Sequence, residues 1–131
     1  AYDFMPTLLE YLDLPVPAAP NLPGRSFLRS LEGKPDEGRD DVVIFDEYGP
    51  VRMIRTREWK YVHRHAHGPH DLFDLVRDPG ERDNLAGNPD RTELIAELKK
   101  RMDEWFARYV IPARSGLLED GAAHGQTRRA F

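Results

Sequence analysis

Between residues 41 and 75 the sequence is cut into apolar runs too closely joined for any crossover. Val42, Val43, Ile44 and Phe45 open a β-branched and aromatic run that ends at Tyr48-Gly49-Pro50, where glycine permits a turn and proline fixes φ. Val51 to Thr56 restarts it with mixed polar and apolar residues, as a half-covered strand requires. Arg57-Glu58 marks a second turn and Trp59 to His63 a third strand; after the break at His67-Gly68-Pro69-His70, Asp71 to Leu75 forms a fourth. A parallel connection needs a dozen or more residues, so four strands this closely spaced form an antiparallel meander. One face of that sheet must be covered.

The cover follows in the sequence. Arg77-Asp78-Pro79-Gly80-Glu81-Arg82 is a turn, and Asn88-Pro89 reads as a helix N-cap with proline at the first helical position. Beyond it, Leu94, Ile95, Leu98, Met102, Trp105, Phe106 and Tyr109 make one apolar stripe, ended by Pro112. Trp105 and Phe106 are expected to bury the largest area. Upstream, Met5, Leu8, Leu9 and Leu12 recur at helical spacing after Asp3, a candidate cap. That stripe has no obvious partner in the sequence, so it is expected either to dock onto another copy of the chain or to be disordered. The proline-rich stretch 14–24 excludes regular helix and reads either as an extended strap or as an interdomain linker. Residues 25–31 suit a turn or two of helix, 32–41 an exposed loop, and 111–131 a mobile tail.

At 131 residues the chain is one domain's worth, and a net charge of −4 argues against a nucleic-acid partner. No apolar run approaches the roughly 20 residues of a membrane-spanning helix, so no membrane partner is expected. There is no cysteine, hence no disulfide and no thiolate chemistry, and nothing fixes the compartment. The start at Ala1-Tyr2-Asp3 suggests a processed product or a piece of a longer protein.

Two clusters invite a chemical reading. His63, His65 and His67 would share a face if the third strand ran that far, and three imidazoles suit Zn²⁺. No carboxylate marks a fourth ligand and Gly68-Pro69 follows, so exposed histidines at a hairpin tip are the favoured reading and no metal site is assigned. Arg52, Arg55, Arg57 and Lys60 form the second cluster, but Arg52 and Arg55 fall on opposite faces of a regular strand. They serve either as solvated charges on the sheet or, singly, to meet an anion. Asp46 and Glu47 also point to opposite faces. No phosphate loop, nucleophile elbow or helical zinc motif is present, and no catalytic residue is assigned.

The ordered pieces resemble the C-terminal part of type I sulfatases, the formylglycine-dependent members of the alkaline-phosphatase-like superfamily. They are Asp3-Phe4-Met5-Pro6-Thr7-Leu8-Leu9-Glu10, Leu22-Pro23-Gly24-Arg25-Ser26-Phe27-Leu28, Phe45-Asp46-Glu47-Tyr48-Gly49, Arg52-Met53-Ile54-Arg55-Thr56, Trp59-Lys60-Tyr61-Val62 and the run from Leu72 through Asp78-Pro79-Gly80-Glu81 to Asn84-Leu85. The resemblance implies an α+β fold, a four-stranded antiparallel sheet covered by a long C-terminal helix, preceded by a short helix and Pro-rich strap from a larger α/β domain. Residues 1–33 would be the tail end of that large domain, 34–110 the C-terminal subdomain and 111–131 the tail. It implies a parent that hydrolyses sulfate esters with a formylglycine and a divalent cation, usually Ca²⁺, its partners being the large N-terminal domain and the sulfate-ester substrate. The Cys/Ser-x-Pro-x-Arg motif that makes formylglycine is absent, so this segment would hold no cofactor and be inert alone. Glu47, Tyr48, Arg52, His67 and His70 are the expected contributors to a substrate rim. The alternatives are a carbohydrate- or protein-binding module and the C-terminal part of a related phosphonate or phosphate monoester hydrolase.

Overall fold

The computed structural model describes residues 2–17, 22–35, 38–45, 51–65 and 68–111. The chain divides into two compact units, Ala1–Arg39 and Asp40–Phe131.

In the first unit, α1 (Phe4–Tyr11) and α2 (Leu28–Leu31) flank the proline-rich stretch. Asp3 occupies the N-cap position of α1 but its carboxylate makes no capping bond. It turns instead to the strap, where Oδ1 accepts the Arg25 N–H at 2.7 Å and a hydrogen bond from the Arg39 guanidinium. The cap function falls to the backbone, with the Asp3 carbonyl accepting from the Thr7 N–H and hydroxyl. The Thr7 hydroxyl oxygen in turn accepts the Phe27 N–H at 3.1 Å, so one carboxylate and one hydroxyl tie the strap to the helix. At Gly24 the approach is closest: a Cβ there would lie 2.2 Å from the Tyr2 carbonyl oxygen, which only glycine permits. The stripe on α1 lies open in part, with Met5, Leu8 and Leu12 between 43 and 53% exposed.

The second unit is a meander covered by one helix, an α+β arrangement. Strands β1 (Asp41–Phe45), β2 (Val51–Thr56), β3 (Trp59–Arg64) and β4 (Asp71–Asp74) lie in sequence order, each antiparallel to the next. Asp46 to Pro50, including the expected Tyr48-Gly49-Pro50 turn, lie outside the described residues. The register puts Val43 opposite Ile54, Ile54 opposite Tyr61, and Tyr61 opposite Leu72. One row of side chains thus crosses all four strands, and all four are buried. Because strand side chains alternate, the residues on either side of this row face the other way.

Asn88 caps the entry to the helical region as its sequence indicates, its side chain accepting from the Asp90 N–H, but the first turn is 3₁₀ (Pro89–Arg91). The main helix, α3, then spans Thr92–Tyr109. Leu98, Met102 and Phe106, at i, i+4 and i+8, close over the sheet row to form the core, with Leu94, Ile95 and Trp105 along its margins. Trp105 is packed against the margin of that core and is not among its fully enclosed side chains. The helical period turns it to the flank, where it meets Phe45, Phe106 and Tyr109, and the largest fully enclosed side chains are Tyr61, Ile54, Leu72, Leu98 and Met102. Arg101 fixes the helix to the first strand through Asp41 Oδ2, at 2.6 and 3.2 Å from Nη2 and Nε. The residues expected as a tail fall, beyond Ile111, outside the described residues.

Truncating the row should be costly only where the helix sits. Ile54→Ala is expected to lose about 2–5 kcal/mol in urea unfolding, whereas Ile44→Ala, half-exposed on the opposite face, should lose less than about 1 kcal/mol.

Candidate functional site

The next row along the sheet is polar, although it lies on the same helix-covered face. It runs Phe45, Arg52, His63, as the register dictates. Arg52 lays its guanidinium carbon 3.7 Å from the centre of the Phe106 ring, and burial lowers its pKa. Arg55 points the other way, to Glu81, which also takes the Lys60 ammonium. The two arginines are separated by the pleat, as the sequence requires.

His63 is buried, 8% exposed, and is the centre of a ring cluster. Its Nδ1 lies 2.9 Å from the Tyr61 hydroxyl. His70 stacks on it with ring centres 4.3 Å apart and planes 22° from parallel, while His65 meets it edge-on at 4.6 Å. Burial, then the neighbouring His70, His65 and Lys99, hold the His63 pKa down at about 4. That of His65 is lowered too, by burial and then by Arg52 and Lys99. The carboxylate facing both rings is Asp103 of α3, which is itself paired with Lys99 at 2.5 Å. His63 and His65 are therefore not the exposed tip histidines that the sequence suggests. β3 ends at Arg64, and the cluster is completed by His70 from the start of β4, whereas His67 lies outside the described residues.

The end of β3 and the start of β4 are held by four polar side chains. Arg64 donates to the Pro69 carbonyl at 2.6 Å and pairs with Asp71 at 2.6 Å, while the Arg64 N–H is accepted by His70 Nδ1 at 3.2 Å. Asn84 does the rest: its Oδ1 accepts the N–H groups of Leu72 and Ala86, each at 3.0 Å, and its Nδ2 donates to the His70 carbonyl at 3.2 Å and to Asp71 at 2.8 Å. The preceding turn is stitched by Asp78, whose Oδ2 accepts from the Arg82 and Asp83 N–H groups. The run from Asp78 to Asn84 thus serves as the clasp of β4.

Of the expected rim residues, Arg52 and His70 are brought together around His63, one as its cross-strand partner and one as its stacking partner. Glu47 and Tyr48 lie, with His67, outside the described residues. Sequence reasoning missed Tyr61, Lys99 and Asp103 as members of this cluster. Only the register of β3 against β4 and the rotation of α3 bring them together. Among the described residues, no group of three His, Cys, Asp or Glu side chains is placed to hold a metal ion.

Residues 1–108 match the family described as N-sulphoglucosamine sulphohydrolase, C-terminal. The chain belongs to that sulfatase family. It is 32% identical to a Δ4,5-hexuronate-2-O-sulfatase of Bacteroides thetaiotaomicron across 86% of this chain and 24% of that protein. Among solved structures, a 2-O GAG sulfatase superposes with a TM-score of 0.69 at 33% identity, over 81% of this chain and 24% of the other. A phosphonate monoester hydrolase of Agrobacterium radiobacter follows at 0.66 and 29%, over 82% and 25%. The chain therefore spans about a quarter of the length of these relatives. The match takes in the first unit as well as the sheet-and-helix unit and runs to the last turn of α3.

Asn84 supplies four hydrogen bonds from one side chain, so Asn84→Ala should cost about 2–3 kcal/mol and expose the Leu72 amide to solvent exchange, measurable by hydrogen–deuterium exchange.

Proposed function

We propose that this chain is the C-terminal segment of a sulfuric ester hydrolase whose reactive centre lies in a larger domain upstream. The observation that carries the reading is the match over residues 1–108 to a sulfatase C-terminal family, in a chain that spans about a quarter of its relatives' length. The amino-acid pattern agrees, since no Cys/Ser-x-Pro-x-Arg motif is present from which a formylglycine would be made. Nor do the described residues include a trio fit to hold the divalent cation. No step of ester hydrolysis is therefore assigned to a side chain here. On this reading residues 1–33 are the end of the large domain, residues 34–110 the small C-terminal subdomain, and the polar row bearing Arg52 and His70, with Glu47, Tyr48 and His67, contributes to the substrate rim. Arg52 suits that role because its fork can meet a sulfate or carboxylate while its flat face rests on Phe106.

The relationship to a phosphonate monoester hydrolase favours a second reading, in which the same subdomain belongs to an enzyme that cleaves a phosphorus ester. The upstream coding sequence separates the two. A Cys/Ser-x-Pro-x-Arg motif supports sulfate-ester chemistry with a formylglycine; its absence, with another nucleophile in its place, supports the phosphoryl hydrolase. A stop immediately upstream would instead favour a free-standing carbohydrate- or protein-binding module.

Two outcomes are expected of the 131-residue chain itself. It should release no 4-nitrophenol from 4-nitrophenyl sulfate, with or without Ca²⁺, and turnover would place reactive groups within these residues. It should also self-associate through the exposed α1 stripe, so that sedimentation velocity finds more monomer in Leu8→Lys than in the parent sequence.

A further inference from the structure

The histidine cluster has a feature that a substrate rim does not need: its rings are packed together in surroundings that oppose added positive charge. A backbone N–H can only donate, so the Arg64 amide, 3.2 Å from His70 Nδ1, fixes that nitrogen as an acceptor and places the ring proton on Nε2. Protonating His70 would set N–H against N–H at the point where β3 hands over to β4. The Tyr61 hydroxyl, 2.9 Å from His63 Nδ1, can donate to a neutral ring or accept from a protonated nitrogen, so this bond leaves the direction open. A proton on His63 nevertheless puts a charge on a buried ring already flanked by cations. His65 adds a third demand, because its Nε2 is buried with no hydrogen-bond partner. A charged His65 would bury a donor without an acceptor.

The charges facing the rings leave little to offset such a proton. From β2 comes Arg52; from α3 come Lys99 and Asp103, already paired with each other; from β3 and β4 come the three imidazoles and the Tyr61 phenol. Arg64 and Asp71 at the tip neutralise one another. The rings nevertheless stack within 4.3 and 4.6 Å, an arrangement compatible with neutral imidazoles and strained by two or three positive charges.

We propose that His63 and His65, packed with His70, form an acid-released latch at the end of β3, closed while His63 and His65 are neutral and opened when they take up protons. Near neutral pH the stacked rings and the Arg64 N–H bond hold His70 against the end of β3. As pH falls, the open form, in which His63 and His65 titrate near 6.5, binds protons that the closed form resists. The sign follows: His63 with its pKa held at about 4 contributes fully above about pH 6.5, and its contribution drains away between about 6.5 and 4. His70 also belongs to the proposed rim, but the latch stands or falls without that role, since it concerns the folding of the end of β3 alone.

The test is amide exchange and imidazole ¹⁵N chemical shifts of the 131-residue chain between pH 8 and 4. His63 should still be neutral at pH 6, and protection of the Arg64 amide, corrected for intrinsic exchange, should fall about tenfold or more between pH 7 and 5 while the Met102 amide in the helix keeps its protection. In His63→Phe, which keeps a ring but takes no proton, that fall should shrink to less than half on a logarithmic scale. Asp71→Asn separates carboxylate titration from the latch: the end of β3 should be looser at every pH, with the same dependence on pH as in the parent chain. A His63 that titrates near 6.5 with no change at Arg64, or an unaltered pH profile in His63→Phe, would overturn the proposal.

Discussion

The structure of the second unit depends on one line of contact: Ile54, Tyr61 and Leu72, abreast on three strands, beneath Leu98 and Met102 of α3. These five are the largest side chains wholly withdrawn from water. A sheet of four to six residues per strand cannot hold itself flat against solvent, and an 18-residue helix gains its stability mainly from the face it buries. Each needs the other. The Arg101–Asp41 pair and the Asn84 clasp then fix where along the row the helix and the last strand may sit, because both are directional and the apolar contact is not.

That dependence explains which parts of the fold were legible in the sequence. Strand alternation and turn residues located β2, β3 and β4 to within a residue or so, because Thr56 to Trp59 and Pro69 to Asp71 leave little freedom in pairing. The spacing of Leu98, Met102 and Phe106 located α3 in the same way. Size alone did not locate Trp105 at the margin of the core. A large indole outweighs its neighbours in a composition argument, but rotation about the helix axis decides what is enclosed, and position 105 lies to one side of the 98, 102, 106 line. Asp3 was misjudged on type. Its position suits a cap, yet the Arg25 amide and the Arg39 guanidinium, 22 and 36 residues away, compete for the same oxygen and win. A pattern within a window of four residues carries no trace of such partners.

The site was legible only as an inventory. Five histidines in a short sequence draw attention, and period-two spacing rightly placed His63 and His65 on one face. What the spacing could not convey was the surroundings. His63 is buried because Tyr61 and His70 close around it, and His70 arrives there through the pairing of β3 with β4 rather than by spacing within one strand. The charges around the rings come from β2 (Arg52) and α3 (Lys99, Asp103), so no single stretch of sequence records them.

The position of that polar row, on the same face as the core, bears on why a C-terminal subdomain would keep it. An apolar row one step further along would have extended the core under α3 toward Tyr109. Instead Arg52 takes the place and recovers part of the contact by lying flat on Phe106. Replacing a hydrocarbon by a guanidinium and two imidazoles lowers the stability available from burial, since each group brings desolvation that its bonds only partly offset. The run from Asp78 to Asn84 meets part of that cost by clamping β4 with hydrogen bonds where packing is thin. Stability is thus concentrated at the Ile54–Tyr61–Leu72 row and deliberately lower one residue pair beyond it, where the strands carry the groups able to meet an anion or a proton. A subdomain whose only task was to be rigid would not need that gradient.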